Sequence, residues 1–318
     1  MAAPTNTATS LVSIGNREDL EDVIYRVAPE ETPLISNIGS VKATGTYHEW
    51  QTESLSSPSA TNAQLEGDDI SSLDAPNLTT RVGNYCQILR KAGGVSRTEE
   101  LVKKAGRTSE MNRQKTLKGI EAKRDLEMRS IGNYASNVES GGSARKLGGA
   151  LAWLVSNVSR GTGGSSGGFA GGTVSVATNG TQRTLTEALV KNVLASAFAN
   201  GGHPKQAYMG PADKQVFSAF TGIAQIRKDV PSDDMATIIG AADVYVSDFG
   251  NLALIPHPYG LSRDVLIVDP DMMAIGTLDG WKSEPLAKTG DSERFLLTAE
   301  KTLVVKNEKA HAVIADVN

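Results

Sequence analysis

Residues 46–77 read TYHEWQTESLSSPSATNAQLEGDDISSLDAPN, and the change of character inside that run decides how the rest of the chain is understood. Tyr47-His48-Glu49-Trp50-Gln51-Thr52-Glu53 alternates like a strand. The 24 residues from Ser54 to Asn77 then carry only four large apolar side chains, Leu55, Leu65, Ile70 and Leu73. Val41 to Glu53 predicts one strand, and Leu78 to Leu89 (LTTRVGNYCQIL), rich in Thr, Val, Tyr and Ile, predicts its return. A structureless insert of that length between two strands is either functional or disordered. Doubled back it reaches up to ~40 Å, so it is expected to project beyond its own domain.

Working outward, 318 residues exceed one ordinary core and predict two subdomains or one elaborated domain. The net charge of -4 lacks the global footprint of a dedicated nucleic-acid binder. Aromatic residues, 5% of the chain, are too sparse for the stacking platforms of single-strand binders. The start, MAAPTNTATSLVSIGNREDL, has no basic region ahead of an apolar core, and no run approaches the roughly 18 apolar residues of a membrane span. A chain made and used in the cytosol, with no membrane partner, is expected. The single cysteine, Cys86, excludes intrachain disulfides and multi-thiolate zinc sites, and packing within a strand is its expected role.

Upstream of the insert, Leu20, Val23, Ile24 and Val27 have helical spacing before Pro29 and Pro33 end the pattern. Downstream, Ser96-Arg97-Thr98-Glu99 is a capping box that opens a helix, which Gly106 interrupts. Thr108 to Gly132 favours helix throughout, about 36 Å of it at about 1.5 Å per residue. Met111, Leu117, Ile120, Met128 and Ile131 draw one narrow stripe, and Asp125 and Arg129 form an i,i+4 pair. Between Gly141 and Gly172 lie 11 of the 32 glycines, which predicts a flexible connection apart from Leu151, Trp153, Leu154 and Val155. Thr184-Leu185-Thr186-Glu187 is a second capping box, and Gly201-Gly202 stops its helix. Gln206 to Met209 then reads as a strand, Pro211 as a helix start, and Asp243–Ser247, Leu252–Ile255, Val265–Val268 and Met272–Leu278 as strands. Two more strands flank Asn307-Glu308-Lys309. The expected division is an arm (1–40), a long hairpin (41–95), a long helix (96–140), a Gly-rich connection (141–183), a mixed α/β unit (184–283) and returning strands (284–318).

Catalytic patterns are weak. Asp269 and Asp271 in VLIVDPD resemble a metal or nucleotide ligand pair, the basis of an alternative as a metal- or nucleotide-dependent enzyme. An Asx-Pro turn ending a strand explains the same residues, and a hard cation needs further oxygen ligands that nothing nearby announces. RGTGGSSGG lacks the Lys-Ser or Lys-Thr of a phosphate loop, and Gly280-Trp281-Lys282-Ser283 lacks the upstream glycine. His48, His203, His257 and His311 are scattered, and no Gly-x-Ser-x-Gly elbow presents a nucleophile. No cofactor is expected.

Charge placement says more. Ala43 to Thr80 holds six acids (Glu49, Glu53, Glu66, Asp68, Asp69, Asp74) and no Lys or Arg, whereas Arg90 to Arg129 holds twelve bases against six acids. Solvated faces account for such runs in general. A projecting acidic loop and an under-covered basic helix are also complementary surfaces. The sharper expectation sets those six acids against Lys103, Lys104, Arg107, Arg113, Lys115, Lys118, Lys123 and Arg124 of a neighbouring copy, where opposite charges fix partner and register. A contact that does not return to its own patch is heterologous and builds rings or shells.

The order of parts resembles the major capsid proteins of tailed bacteriophages, the Johnson fold, almost end to end. The residues that carry the likeness are NREDLEDVIYRVAPEETPLISNIG (16–39), TYHEWQTESL (46–55), KGIEAKRDLEM (118–128), ARKLGGALAWL (144–154) and YMGPADKQVFSAF (208–220). The resemblance implies an α+β fold with an N-terminal arm, an extended loop hairpin (Val41–Val95) reaching over the next subunit, a long spine helix with a peripheral sheet, and a mixed α/β axial domain (Thr184–Ser283). It implies a virion capsid protein, not an enzyme, that self-assembles as pentamers and hexamers into an icosahedral shell around double-stranded DNA. Implied partners are a portal and separate scaffolding or decoration proteins, with assembly in the host bacterial cytoplasm. Some such proteins weld the shell through a lysine of the extended loop; here no Lys lies between Ala43 and Arg90, so no such weld is expected. Some begin with a cleaved scaffolding segment, for which the short arm before Arg17 leaves no expected room.

Overall fold

The computed structural model describes Ile24 and residues 26–67, 69–70, 73–220, 244–288 and 290–318. Two larger sheets organise them. The first has the order β1 (Gly39–Lys42), β12 (Met273–Leu286), β13 (Ser292–Val305), β4 (Gln87–Ser96). β12 and β13 form a long antiparallel hairpin from Met273 opposite Val305 to Leu286 opposite Arg294, β4 runs antiparallel to β13, and β1 runs parallel to β12. Helix α3 (Glu110–Ile131) packs on β4 and β13. Its first turn is capped by Ser109, whose hydroxyl accepts from the Asn112 amide at 3.2 Å.

The second sheet has the order β5 (Val158–Ser159), β14 (Ala312–Ala315), β11 (Asp264–Val268), β8 (Gln206–Met209), β10 (Gly250–Pro256), β9 (Val244–Ser247). Every residue of β11 and β14 is buried, as in strands covered on both faces. Because side chains alternate along a strand, these two feed two cores. Leu266, Val268, Val313 and Ala315 join Leu126, Trp153, Met273 and Leu303 on one side. Val265, Ile267, Ala312 and Ile314 join α5 (Glu187–Ala199) and α6 (Pro211–Ser218) on the other, through Val190, Leu194 and Phe217.

After β11 the chain crosses between the sheets twice, so a boundary at 283 falls inside β12 and the returning strands divide. β13 pairs with β4 in the first sheet, while β14 enters the second. Each crossover is a tight 3-10 turn with a side-chain cap: Asp271 N–H donates to Asp269 Oδ1 at 3.2 Å, and Lys309 N–H donates to Asn307 Oδ1 at 3.1 Å. His311, fully buried, joins them, its Nδ1 accepting from the Asp269 amide at 3.2 Å and its Nε2 facing the Met272 carbonyl at 3.3 Å.

Several expectations are corrected. Val41–Glu53 is two strands, β1 and β2 (Tyr47–Thr52), and the return is also two, β3 (Thr80–Tyr85) and β4. Among the described residues β2 and β3 pair only with each other, as a ribbon that leaves the first sheet at two buried small residues, Ala43 and Cys86. At the exits Ala43 N–H still bonds to Thr277 O of the sheet at 2.9 Å, while Cys86 N–H bonds across the ribbon's base to Thr46 O at 2.8 Å. On α3 the fully hidden face is Ala122, Leu126, Glu127, Ser130 and Ile131, whereas Met128 is 45% exposed. Residues 122, 126 and 130 align at i,i+4 spacing, but three of the helix's six buried residues, Glu110, Glu127 and Ser130, are polar, which blurs the stripe. Asp125 pairs with Lys91 of β4 at 2.6 Å instead of Arg129, whose guanidinium serves the Leu147 and Ala135 carbonyls at 3.0 and 2.6 Å. Leu20 and Val23 lie outside the described residues, Val27 is fully exposed, and Pro33, expected to end a helix, opens the short α1 (Pro33–Asn37). The second capping box shifts: Thr186 caps α5, and its side chain makes no capping bond.

The Gly-rich connection is the largest correction, because it is packed rather than flexible. α4 (Ala150–Trp153) is wholly buried, and β6 (Gly168–Ala170) pairs with β7 (Thr173–Ser175). A Cβ on Gly149 would stand 2.1 Å from the Gly132 carbonyl oxygen, and one on Gly161 2.0 Å from that of Thr181. Close backbone approach, not freedom, selects glycine there. Asn84 fastens the segment to the ribbon's root, its Nδ2 donating to Gly148 O and Leu303 O at 3.1 and 2.9 Å and its Oδ1 accepting from Gly148 N–H at 2.8 Å.

A candidate inter-subunit surface

The ribbon is fixed at its root and bare at its end. Trp50 packs on Trp153 with centroids 5.6 Å apart, and Trp153 stacks on Phe169 at 5.3 Å. The Tyr47 hydroxyl donates to Gly172 O at 3.1 Å, and its ring meets Tyr85 at 4.6 Å. Beyond Thr52 these contacts stop. Leu55, Leu65, Ile70, Leu73 and Leu78 are between 81 and 89% exposed, and the loop's polar bonds include one across it, from Ser56 Oγ to Asn77 Oδ1 at 3.1 Å.

Of the acids named from sequence, Glu49 faces Arg81 across the ribbon at 3.8 Å. Glu53, Glu66, Asp69 and Asp74 have no ion-pair partner among the described residues, and Asp68 lies outside them. The bases are more occupied. Lys104 meets Glu100 at 3.7 Å, Arg107 meets Glu99 at 3.4 Å and also Glu110, Arg113 meets Glu110 at 2.9 Å, and Lys118 meets Glu121 at 2.9 Å. A hydrogen bond from Gln114, with Arg107 and Arg113 beside it, holds the Glu110 carboxyl below the usual range against the opposing effect of burial. Lys115 lies over the Phe295 ring at 5.8 Å and Arg124 over Tyr259 at 5.6 Å. Lys103 and Lys123 have no ion-pair partner among the described residues. Among the described residues the acids and bases are thus not brought together within one chain, and half of the bases named are compensated locally.

Sequence reasoning missed Glu127, which sits in KRDLEM like any solvent-facing helical acid. It is fully buried, accepts from the Leu34 and Ile35 amides at 2.6 and 2.9 Å, and meets His257 Nε2 at 2.9 Å. One carboxylate thereby joins α1, α3 and the loop after β10. No local pattern announces it, because both partners lie far off in sequence.

Asp269 and Asp271 act as turn residues. Asp271 is exposed and pairs with Lys205 at 2.5 Å, which lies 3.7 Å from Asp269. No group of three or more His, Cys, Asp or Glu able to hold a metal occurs among the described residues. Cys86 is buried and its thiol is pushed up to about 11, chiefly by burial.

Comparison with known proteins places this arrangement. The chain is 34% identical over 127 residues to the major capsid protein of Escherichia phage Phieco32, a match spanning 40% of this chain and about a third, 36%, of that relative. The fold is that of solved capsids: a Cyanophage A-1(L) capsid chain superposes with a TM-score of 0.66 at 13% identity, over 97% of this chain and 98% of that one. The capsid of a native GTA particle gives 0.61 at 12% identity, over 99% and 100% of the two chains. This is the α+β fold of phage capsids expected from the resemblance, and these relatives are structural proteins, not enzymes. The sequence model of the SU10 major capsid protein matches residues 3–318, and the chain belongs to that family.

Proposed function

We propose that copies of this chain close into an icosahedral shell by laying the acidic ribbon tip of each across its neighbour. The observation that carries this is the tip itself, five large apolar side chains and four acids with no ion-pair partner among the described residues, held away from their own body by a firmly packed root. In this reading the second sheet with α5 and α6 forms the axial unit at the centres of pentamers and hexamers, and the first sheet with α3 the peripheral unit. The shell encloses double-stranded DNA, assembles in the host bacterial cytoplasm, and works with a portal and with scaffolding or decoration proteins.

Electron microscopy of the purified chain tests the reading, with rings or closed shells as the expected result. Replacing Glu66, Asp68 and Asp69 together by Lys leaves a folded monomer that assembles aberrantly or not at all. Normal particles from that variant would remove charge complementarity as the organising contact.

A further inference from the structure

The geometry points to a phosphate-binding pocket between α1, α3 and the first sheet, in which Lys123 and Lys301 hold the phosphate of a nucleic-acid strand or of a free anion. The cavity measures about 290 Å³, at the lower end of the ~300–1,000 Å³ usual for small-ligand sites. Lys123 lines it from α3, Lys301 from β13, Ser40 from β1 and Thr32 from just ahead of α1, with Trp281 of β12 alongside. Among the described residues no carboxylate lines it.

The two lysines carry charge that their own chain leaves uncompensated, since neither has an ion-pair partner among the described residues. The acids nearest them in sequence are already engaged: Glu121 with Lys118 at 2.9 Å, Asp125 with Lys91 at 2.6 Å, Glu127 with His257 at 2.9 Å and Glu300 with Arg145 at 2.5 Å. Lys301 is half-buried, its ammonium donating to Thr277 Oγ1 at 2.9 Å, and burial lowers its pKa from the ordinary lysine value. An ammonium has three donors, so that one bond leaves two for a ligand. The groove beside α2 (Arg97–Leu101) is the contrast, because there Arg97 meets Asp291 at 2.7 Å and Lys288 meets Glu293 at 2.8 Å. A buried charge without a counter-ion lowers stability, and an entering anion offsets that loss. Phosphate suits these walls better than a carboxylate does, because its several acceptor oxygens face two ammonium groups and two hydroxyls at once.

Thermal unfolding of the full chain at constant ionic strength reads the binding, because a ligand that binds only the folded chain raises the midpoint. Inorganic phosphate is expected to raise it saturably, and acetate is not. Lys301→Met keeps the packing of the stem and removes the charge, and it should weaken phosphate by about tenfold or more. Lys123→Met should do the same from the exposed rim, and it decides alone if Lys301→Met folds poorly. Lys191→Met, in α5 and paired with Glu187 at 2.9 Å, should leave the phosphate effect unchanged. A short DNA duplex forms the second arm: protection that depends on Lys123 and Lys301 assigns the pocket to a strand backbone, and protection by inorganic phosphate alone assigns it to a free anion. No protection dependent on these lysines with either probe, an equal effect of acetate, or an equal loss in Lys191→Met would overturn the site. None of these outcomes depends on whether the chain forms shells.

Discussion

The ribbon tip and the Gly-rich segment look alike on paper and end in opposite conditions. Residues 54–77 are polar, acidic and exposed, with no strand or helix among those described. Residues 141–183 hold only short elements, α4 and β5 to β7, yet their backbone is pressed against neighbouring carbonyls and their Leu147, Leu151, Trp153 and Leu154 are buried. Low regular structure therefore has two physical origins. One segment buries its backbone within its own chain, and its glycines mark where a Cβ has no room. The other keeps leucines and acids in water, which leaves its apolar surface for a partner.

The largest effect expected from this contrast is at Gly149. Gly149→Val places side-chain atoms on the Gly132 carbonyl, where even a Cβ would stand at 2.1 Å, and should cost at least about 4 kcal/mol or prevent folding. Chemical denaturation of the purified variant reads it, and a midpoint close to the parent's would mean the segment is looser than its packing implies. Trp153→Ala, which removes the middle ring of the Trp50–Trp153–Phe169 stack, should cost about 3–5 kcal/mol and free the ribbon's root. Limited proteolysis should then cut near residues 47–52 faster than in the parent; unchanged rates would place the anchor elsewhere.

Next in size is a pH effect of the packed body. Burial pushes the His311 imidazole down to about 4 from its ordinary 6.5. Between those values the unfolded chain binds a proton that the folded chain refuses, so stability falls as pH drops through that window, by up to about 3 kcal/mol, and is level above it. Thermal midpoints at pH 7 and 4.5 read the slope, and His311→Asn should flatten it. The smallest effect belongs to the tip. Leu65→Ala should change the stability of the unassembled chain by no more than about 0.5 kcal/mol while lowering particle yield. A large loss of monomer stability would mean that Leu65 is covered by its own subunit.

Much of this architecture was legible where the cause is local. The Ser96 cap, with its hydroxyl accepting from the Glu99 amide, the Pro211 start of α6 and the strand Gln206–Met209 lie where sequence places them, because capping and alternation are short-range effects. The bareness of the insert was legible too, since its composition has nothing to form a core. Long-range choices were not. Nothing local tells β2 to leave β1 at Ala43, sends β12 and β14 to different sheets, or marks Glu127 as a buried carboxylate. The glycines of 141–183 misled because one composition serves both loose linkers and tightly stacked backbone. At the surface, counting charge overstated the free bases, because acids one helical turn away already neutralise Arg107, Arg113 and Lys118.

The two crossovers at Asp269 and Asn307 bear on how the molecule is born. β1 waits for β12, β4 waits for β13, and β5 waits for β14, partners separated by some 150 to 240 positions and all supplied by residues 273–315. Loop closure of that span is slow to be rewarded. On the ribosome neither sheet can be completed until β12, β13 and β14 emerge, so the nascent protein carries open edges while residues 39–272 are made.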